Sequence, residues 1–254
     1  MTEDMNNHAL PPRRIVGVDG SAQSRAALLW AATRSAADGV VLVLAHVANP
    51  QDESGGGETL LAAAAHSLLS QHPALRIERM LLHGPVWRAL AAAAHPDDLL
   101  VIGTGPSGYP ARRVTGSLGV QLVIAASCTI ALIPDVDLRF RRGVVAGIGR
   151  PESSGTIARA IAAHAPDRPI TLVHADPSGR CEKALAAAEE ALGPDAAVRR
   201  RLLSGPAADA LLDAALDKEL LVLGPGADGA DRPPIGAVTH AVLMNATAPI
   251  LLSR

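Results

Sequence analysis

The sequence predicts an α/β fold: two tandem doubly wound domains, each a five-stranded parallel sheet flanked by helices. Three observations lead there. Short apolar runs without polar interruption, such as Leu99 to Ile102, have the pattern of strands buried on both faces. Alanine-rich stretches with helical spacing alternate with them, which implies parallel pairing through right-handed crossovers. The whole series then occurs a second time.

The first strand spans Arg14 to Val18 and ends in Asp19-Gly20-Ser21. Ala22 to Ala37 follows as a helix, with Ala26, Leu29, Trp30 and Thr33 at helical spacing and Ser21 or Ser24 as its cap. Val40 to Val47 is the second strand, and Asn49 to Gly57 a polar, glycine-rich loop. Glu58 to Ser70 is helical, and Leu75 to Leu82 is the third strand. Gly84-Pro85 punctuates, with Pro85 suited to the first turn of a helix running to Ala94. The fourth strand is Leu99 to Ile102. A loop rich in Gly, Pro and Ser leads from it to Gly116-Ser117 and the helix Leu118 to Ala126. Thr129 to Ile133 is the fifth strand, closed by Pro134.

Five segments then recur in order. Arg141 to Ala146 echoes Arg13 to Val18, and Ile170 to His174 echoes Val41 to His46. Leu203 to Pro206 echoes Leu82 to Pro85, and Leu220 to Gly224 echoes Leu99 to Gly103. Thr247 to Leu252 echoes Ser127 to Leu132. Ordered matches of this kind signal an internal duplication. The divisions are a disordered N-terminus (1–12), a first domain (13–134), a linker (135–142) and a second domain (143–254). The terminal strands of the two halves are apolar edges, so they are expected to pair across a pseudo-two-fold axis, with room for a further homodimer.

Composition narrows the function classes. Hydrophobic residues make up 48%, ample for two cores, while aromatics are only 2%, which disfavours base-stacking platforms for single-stranded nucleic acid. A net charge of −2 gives no sign of a polyanion partner. Cys128 and Cys181 form no framework and no Cys-x-x-Cys, so they read as packed or incidental thiols. Residues 1–12 lack the apolar core of a secretory signal, and no apolar run approaches the ~20 residues of a spanning helix. A soluble cytoplasmic protein is expected. The nine histidines show no metal-ligand spacing, and His46 and His174 fall at matching strand ends, which points to a structural or rim role.

The glycine-bearing loop between the fourth strand and its helix is where backbone N–H groups and a positive helix end suit phosphate. Gly103 is followed by two residues, Pro106, nine residues, and Gly116-Ser117. Together with Val18-Asp19-Gly20-Ser21 and His46-Val47, this spacing resembles the universal stress protein family, whose ATP signature is Gly-x-x-Gly-x9-Gly-Ser/Thr. The resemblance covers nearly the whole chain as two copies. It departs at Pro106, which has no N–H and fixes φ where the family has glycine.

The resemblance implies a stress-response regulator that binds ATP or ADP, with or without Mg, in its first domain. It implies that Asp19 contacts the nucleoside and that Val47 and Ile102 flank the adenine. Gly103, Gly116, Ser117 and Leu118 would hold the phosphates, and Gly105 and Gly108 are close enough to substitute for the missing glycine after a local shift. No catalytic residue and no metal site is expected. The second copy is degraded: Ile148 falls where Asp19 was, Ala227 replaces the second glycine, and Gly236 is followed by Ala237. Each motif alone has a plainer explanation, since Asp19 can order a turn and Gly116-Ser117 can start a helix. A nucleotide-free scaffold for dimerisation or partner docking is therefore the alternative. Gly103 to Gly108 also matches Gly-x-Gly-x-x-Gly, but Tyr109-Pro110 interrupts where a dinucleotide-binding helix would begin, so NAD ranks below ATP. A slow ATP hydrolase ranks last, because no base or metal carboxylate is evident.

Overall fold

The computed structural model describes residues 11–48, 55–105, 118–175, 182–224, 226 and 235–254. The first half contains β1 (Arg14–Gly17), α1 (Ala22–Asp38), β2 (Leu42–Ala48), α2 (Gly56–Gln71) and β3 (Ile77–His83). It continues with α3 (Val86–Ala93), β4 (Leu99–Thr104), α4 (Leu118–Ala125) and β5 (Thr129–Pro134). The second half repeats the series: β6 (Val144–Gly147), α5 (Ser154–His164), β7 (Ile170–Ala175), α6 (Glu182–Leu192), β8 (Val198–Leu203), α7 (Ala207–Ala215), β9 (Leu220–Leu223), α8 (Ala237–Asn245) and β10 (Ile250–Leu252). A 3₁₀ turn, Pro151–Ser153, precedes α5.

The ten strands among the described residues form one sheet, in the order β3-β2-β1-β4-β5-β10-β9-β6-β7-β8. Read inward from either edge, the halves have the same order. Pairing is parallel within each half and antiparallel only where β5 meets β10. There Leu132 pairs Ile250, Ala131 pairs Leu251 and Ile130 pairs Leu252. The register is self-complementary about Ala131 and Leu251, as an isologous contact between equivalent strands requires.

Alternation along the strands sends successive side chains to two cores. One core carries Val16, Leu44 and Val101 beneath α1, α2, α5 and α6. The other carries Ile15, Val43 and Leu100 beneath α3, α4, α7 and α8. Both cores run without a break across the β5–β10 joint. No described helix is long and apolar enough to cross a membrane. The turns before α3 and α7 show why the Gly-Pro pair recurs. Gly84 and Gly205 take φ of 103° and 100°, which favours glycine, and Pro85 and Pro206 occupy the N-caps.

Two polar clusters hold this frame. Asp98, at the start of β4, is 2% exposed and accepts from Arg13 Nη2 at 2.7 Å and from the backbone N–H groups of Arg13 and His95. Burial pushes the Asp98 carboxyl up, but these donors outweigh it and hold it below the usual carboxylate range. The pair fixes β4 beside β1. The second cluster lies where the halves meet. Arg34 stacks over Trp30 with Cζ 3.8 Å from the ring centroid, and Arg14 forks onto Asp38. Burial drives the Arg34 guanidinium down to about 10. His164, from α5 of the other half, is pushed down to about 4 by burial and then by the charges of Arg14 and Arg34.

Two outcomes follow from these clusters. Asp98→Asn should cost about 3 kcal/mol in urea unfolding, the low end for breaking a buried pair, because Arg13 is partly exposed. An unchanged urea midpoint would contradict the assignment. His164 has a folded value below its unfolded value of about 6.5, so the unfolded chain takes up the proton first. Stability should therefore be full above about pH 6.5 and fall as pH drops towards about 4. His164→Gln should flatten that part of the melting-temperature profile. A wild-type imidazole titrating near pH 6.5 by NMR would refute the cause.

Candidate functional site

Strand order reverses beside β1: the chain passes from β1 to β2 on one side and returns to β4 on the other. A parallel sheet opens a crevice at such a point, outside the carboxyl ends of its strands. Here the crevice has a volume of about 380 Å³. Asp19 and Ser21 line it after β1, His46 and Val47 at the end of β2, and Ile102 and Gly103 at the end of β4. Leu118 and Gln121 close it from α4, and Val86 and Leu90 from α3.

Asp19 has two local duties. Its Oδ1 accepts from the Ser21 N–H at 2.9 Å, and its own N–H donates to Ser24 Oγ at 3.3 Å. Ser21 Oγ accepts from the Ser24 N–H at 3.1 Å, so Ser21 is the N-cap of α1. Burial raises the Asp19 carboxyl, but hydrogen bonds from Ser21 and Ser24 more than offset it and hold the group below its ordinary value. The crevice therefore carries a carboxylate at neutral pH.

His46 braces the crevice floor. Its ring Nδ1 lies 2.6 Å from Val18 O, and a carbonyl only accepts, so Nδ1 carries the proton. The same bond ties His174 to Ile148 O in the second half. Gly57 lies against the His46 ring, where an added Cβ would sit 2.7 Å from Cδ2. The ring thus locks β2, the end of β1 and the start of α2 together.

Gly103 has a structural reason for being glycine. An added Cβ would lie 2.2 Å from Gln23 O and 2.7 Å from Ser24 N, in the first turn of α1. The helix backbone presses on the end of β4. At the equivalent Gly224 the nearest atom would be Ser153 Cβ at 3.6 Å, because α5 starts only after the 3₁₀ turn.

Of the residues expected at the site, Asp19, Val47, Ile102, Gly103 and Leu118 come together in this crevice. Gly105 is exposed and stands outside the lining. Gly116 and Ser117 lie outside the described residues, as do Pro106, Gly108 and Cys181. Gln121, Val86 and Leu90 were not anticipated; the i, i+4 spacing of Val86 and Leu90 was the available signal. Cys128 is fully buried, and burial pushes its thiol up to about 11, which suits packing rather than nucleophilic chemistry. Among the described residues no group of His, Cys, Asp or Glu could hold a metal ion.

The second half has the equivalent crevice, with a volume of about 450 Å³. One sequence expectation needs correction there. Ile148 does not take the place of Asp19: its carbonyl receives the His174 bond that Val18 receives from His46, so Ile148 matches Val18 and Gly149 matches Asp19. The absence of a carboxylate at that position stands, with glycine in place of isoleucine.

The close approach at Gly103 generates a paired outcome. Gly103→Ala forces a backbone shift and should cost about 2–3 kcal/mol, as overpacking does. Gly224→Ala meets only ordinary contact and should change stability by less than about 1 kcal/mol. Chemical denaturation of both variants is the measurement, and equal losses would disprove the explanation.

Comparison with known proteins bears on this architecture. Residues 13–134 match the sequence profile of the universal stress protein family. A universal stress protein of Mycobacterium tuberculosis (strain H37Rv) is 28% identical over 285 aligned positions, covering 94% of this chain and 96% of that protein. One from Mycolicibacterium smegmatis is 26% identical, with the same coverage. Among solved structures, a universal stress protein from Archaeoglobus fulgidus superposes with a TM-score of 0.69 at 14% identity, covering 94% of this chain and 97% of that one. A putative universal stress protein from Pseudomonas aeruginosa gives 0.60 at 15%, covering 94% and 92%. These two structural likenesses concern the fold. By the profile match its first half, residues 13–134, is a universal stress protein domain, and the chain is similar to curated members of that family along nearly its whole length.

Proposed function

We propose that this protein is a cytoplasmic stress-response regulator that holds one adenine nucleotide, ATP or ADP, in the crevice of its first half. The observation that carries the reading is an ionised Asp19 at the mouth of a cavity placed at the switch point of a parallel sheet. The carboxylate can accept from ribose hydroxyls, and Val47 and Ile102 offer apolar surface for a base. The start of α4, with Leu118 on the lining, supplies a helix N-terminus on the side where phosphates would lie. A Mg ion would accompany the phosphates rather than a protein cage. Occupancy, rather than turnover, is the signal in this reading.

A second reading has its own support. Asp19 already accepts from Ser21, and the smallness of Gly103 is explained by α1. Both features also suit a nucleotide-free scaffold in which the two halves serve assembly or docking.

Calorimetric titration with ATP and ADP separates the two. The expected result is a single site per chain. Loss of a hydrogen bond to a charged group costs about 1.5–3 kcal/mol, so Asp19→Ala should weaken binding roughly 10- to 150-fold. Gly116→Val should weaken it as well. Two equal sites, or affinity untouched by both substitutions, would sink the proposal, and absence of any saturable heat would select the scaffold.

A further inference from the structure

At the joint between the halves, buried donors outnumber the acceptors left for them. Counted from Asp19 and its counterpart Gly149, Arg34 of α1 and His164 of α5 stand the same distance along (19 to 34, 149 to 164), so they are equivalent positions. Close to a two-fold axis equivalent positions face each other, and the charges of Arg14 and Arg34 do act on the His164 imidazole. Trp30, 5% exposed, lies under the Arg34 guanidinium. Three nitrogens of this cluster are buried without a hydrogen-bond partner: Trp30 Nε1, Arg14 Nε and His164 Nδ1. The indole and guanidinium nitrogens only donate, and the imidazole nitrogen donates in one of its tautomers. The nearby carboxylates are committed. Asp38 accepts from both terminal nitrogens of Arg14, and Glu219 pairs with Arg168 at 3.0 Å. Glu219 Oε1 is itself buried without a hydrogen bond, and the Arg168 charge offsets it. Among the described residues Arg34 has its ring contact but no hydrogen bond or ion pair. The charges acting on it are those of Glu219, Arg14, Arg168 and Asp38, so three cations, Arg34 included, meet two carboxylates.

We propose that this joint binds one small inorganic anion, of the size and charge of chloride, held by Arg34, Trp30, Arg14 and His164. A buried donor without a partner destabilises a fold, and a buried cation without a counter-charge does so more strongly. One anion answers both, whereas a water molecule would bring an acceptor but no charge. The burial of Trp30 and Arg14 suits a compact ion rather than an organic one. The negative C-terminal end of α1 weighs against an anion, but Arg76 donates to Gly39 O at that end and offsets it. Because its holders come from β1 and α1 of one half and α5 of the other, the ion would fasten the halves together. Arg14 opens β1 and Glu219 precedes β9, so the site lies at the amino ends of those strands, away from both crevices, and requires no nucleotide.

The test follows the melting temperature of the full chain in sodium gluconate, with chloride or bromide replacing gluconate at constant ionic strength. Either halide should raise it saturably, and a halide concentration of about 100 Kd should raise the folded-to-unfolded ratio about 100-fold. Arg34→Met should remove the response. Trp30→Phe, which keeps a ring and drops the donor, should weaken the halide roughly ten-fold or more. Arg200→Gln, on the exposed β8 edge, and Asp19→Ala, in the first crevice, should respond like wild type, so failure of the nucleotide reading and failure of this one are told apart. Crystals grown in bromide should show one anomalous peak among the four side chains. The proposal is overturned if gluconate and chloride give the same melting temperature, as bound water would, or if the response rises without saturating, as a general salt effect does. It is also overturned if Arg34→Met and Trp30→Phe both respond like wild type, or if no bromide peak lies at the joint.

Discussion

The antiparallel pairing of β5 with β10 is the constraint on which the rest of the molecule depends. Each half by itself would end in a short apolar strand with an open edge, an invitation to pair with another chain. Pairing the two edges closes both at once. It also carries each core through the joint, because Ala131, Ile133 and Leu251 face one helix layer while Ile130, Leu132, Ile250 and Leu252 face the other. The polar cluster of Trp30, Arg34, Arg14 and Asp38 with His164 then has a fixed partner surface across the same joint. The remaining sheet edges are β3 and β8, and both bear charges: Glu78 and Arg79 on one, Arg199, Arg200 and Arg201 on the other.

Within that frame, the crevices differ through backbone placement as much as through side chains. Both keep a histidine donating to the carbonyl at the end of the central strand, and both keep a glycine, Gly17 or Gly147, under the tip of an aliphatic side chain from the neighbouring strand. What changes is where the first helix begins. In the first half α1 starts close enough to dictate glycine at position 103, while in the second a 3₁₀ turn sets α5 back. A difference of one turn therefore alters both the space at the end of the fourth strand of each half and its tolerance to substitution.

Much of this was legible in the sequence. Strands buried on both faces announce themselves as unbroken apolar runs, so β1, β4, β5 and β9 were found within a residue or two. The ordered echoes revealed the duplication, and the apolar edge strands pointed to their own pairing. Strand ends were less clear: β2 starts at Leu42 rather than Val40, and α2 begins two residues before Glu58, because local pattern carries no record of where a neighbouring strand stops. The match of Ile148 to Asp19 failed for a related reason. Gly147, Ile148 and Gly149 carry no polar side chain to mark the turn, and the register is set by long-range contacts: the pairing of β6 with β7 and the bond from His174. The close contact at Gly103 and the joint around Arg34 bring together residues far apart in the chain, so neither could be read from spacing.

Joining two such units in one polypeptide has a consequence for how the pairing behaves in solution. A separate dimer falls apart on dilution, and its two subunits, being the same gene product, must change together. Tethered halves meet at an effective concentration on the order of millimolar, whatever the abundance of the protein. Their contact is therefore indifferent to expression level. Each half is also released from identity with the other, so one socket could drift in sequence while its neighbour kept its own, and every molecule still carries both in fixed proportion.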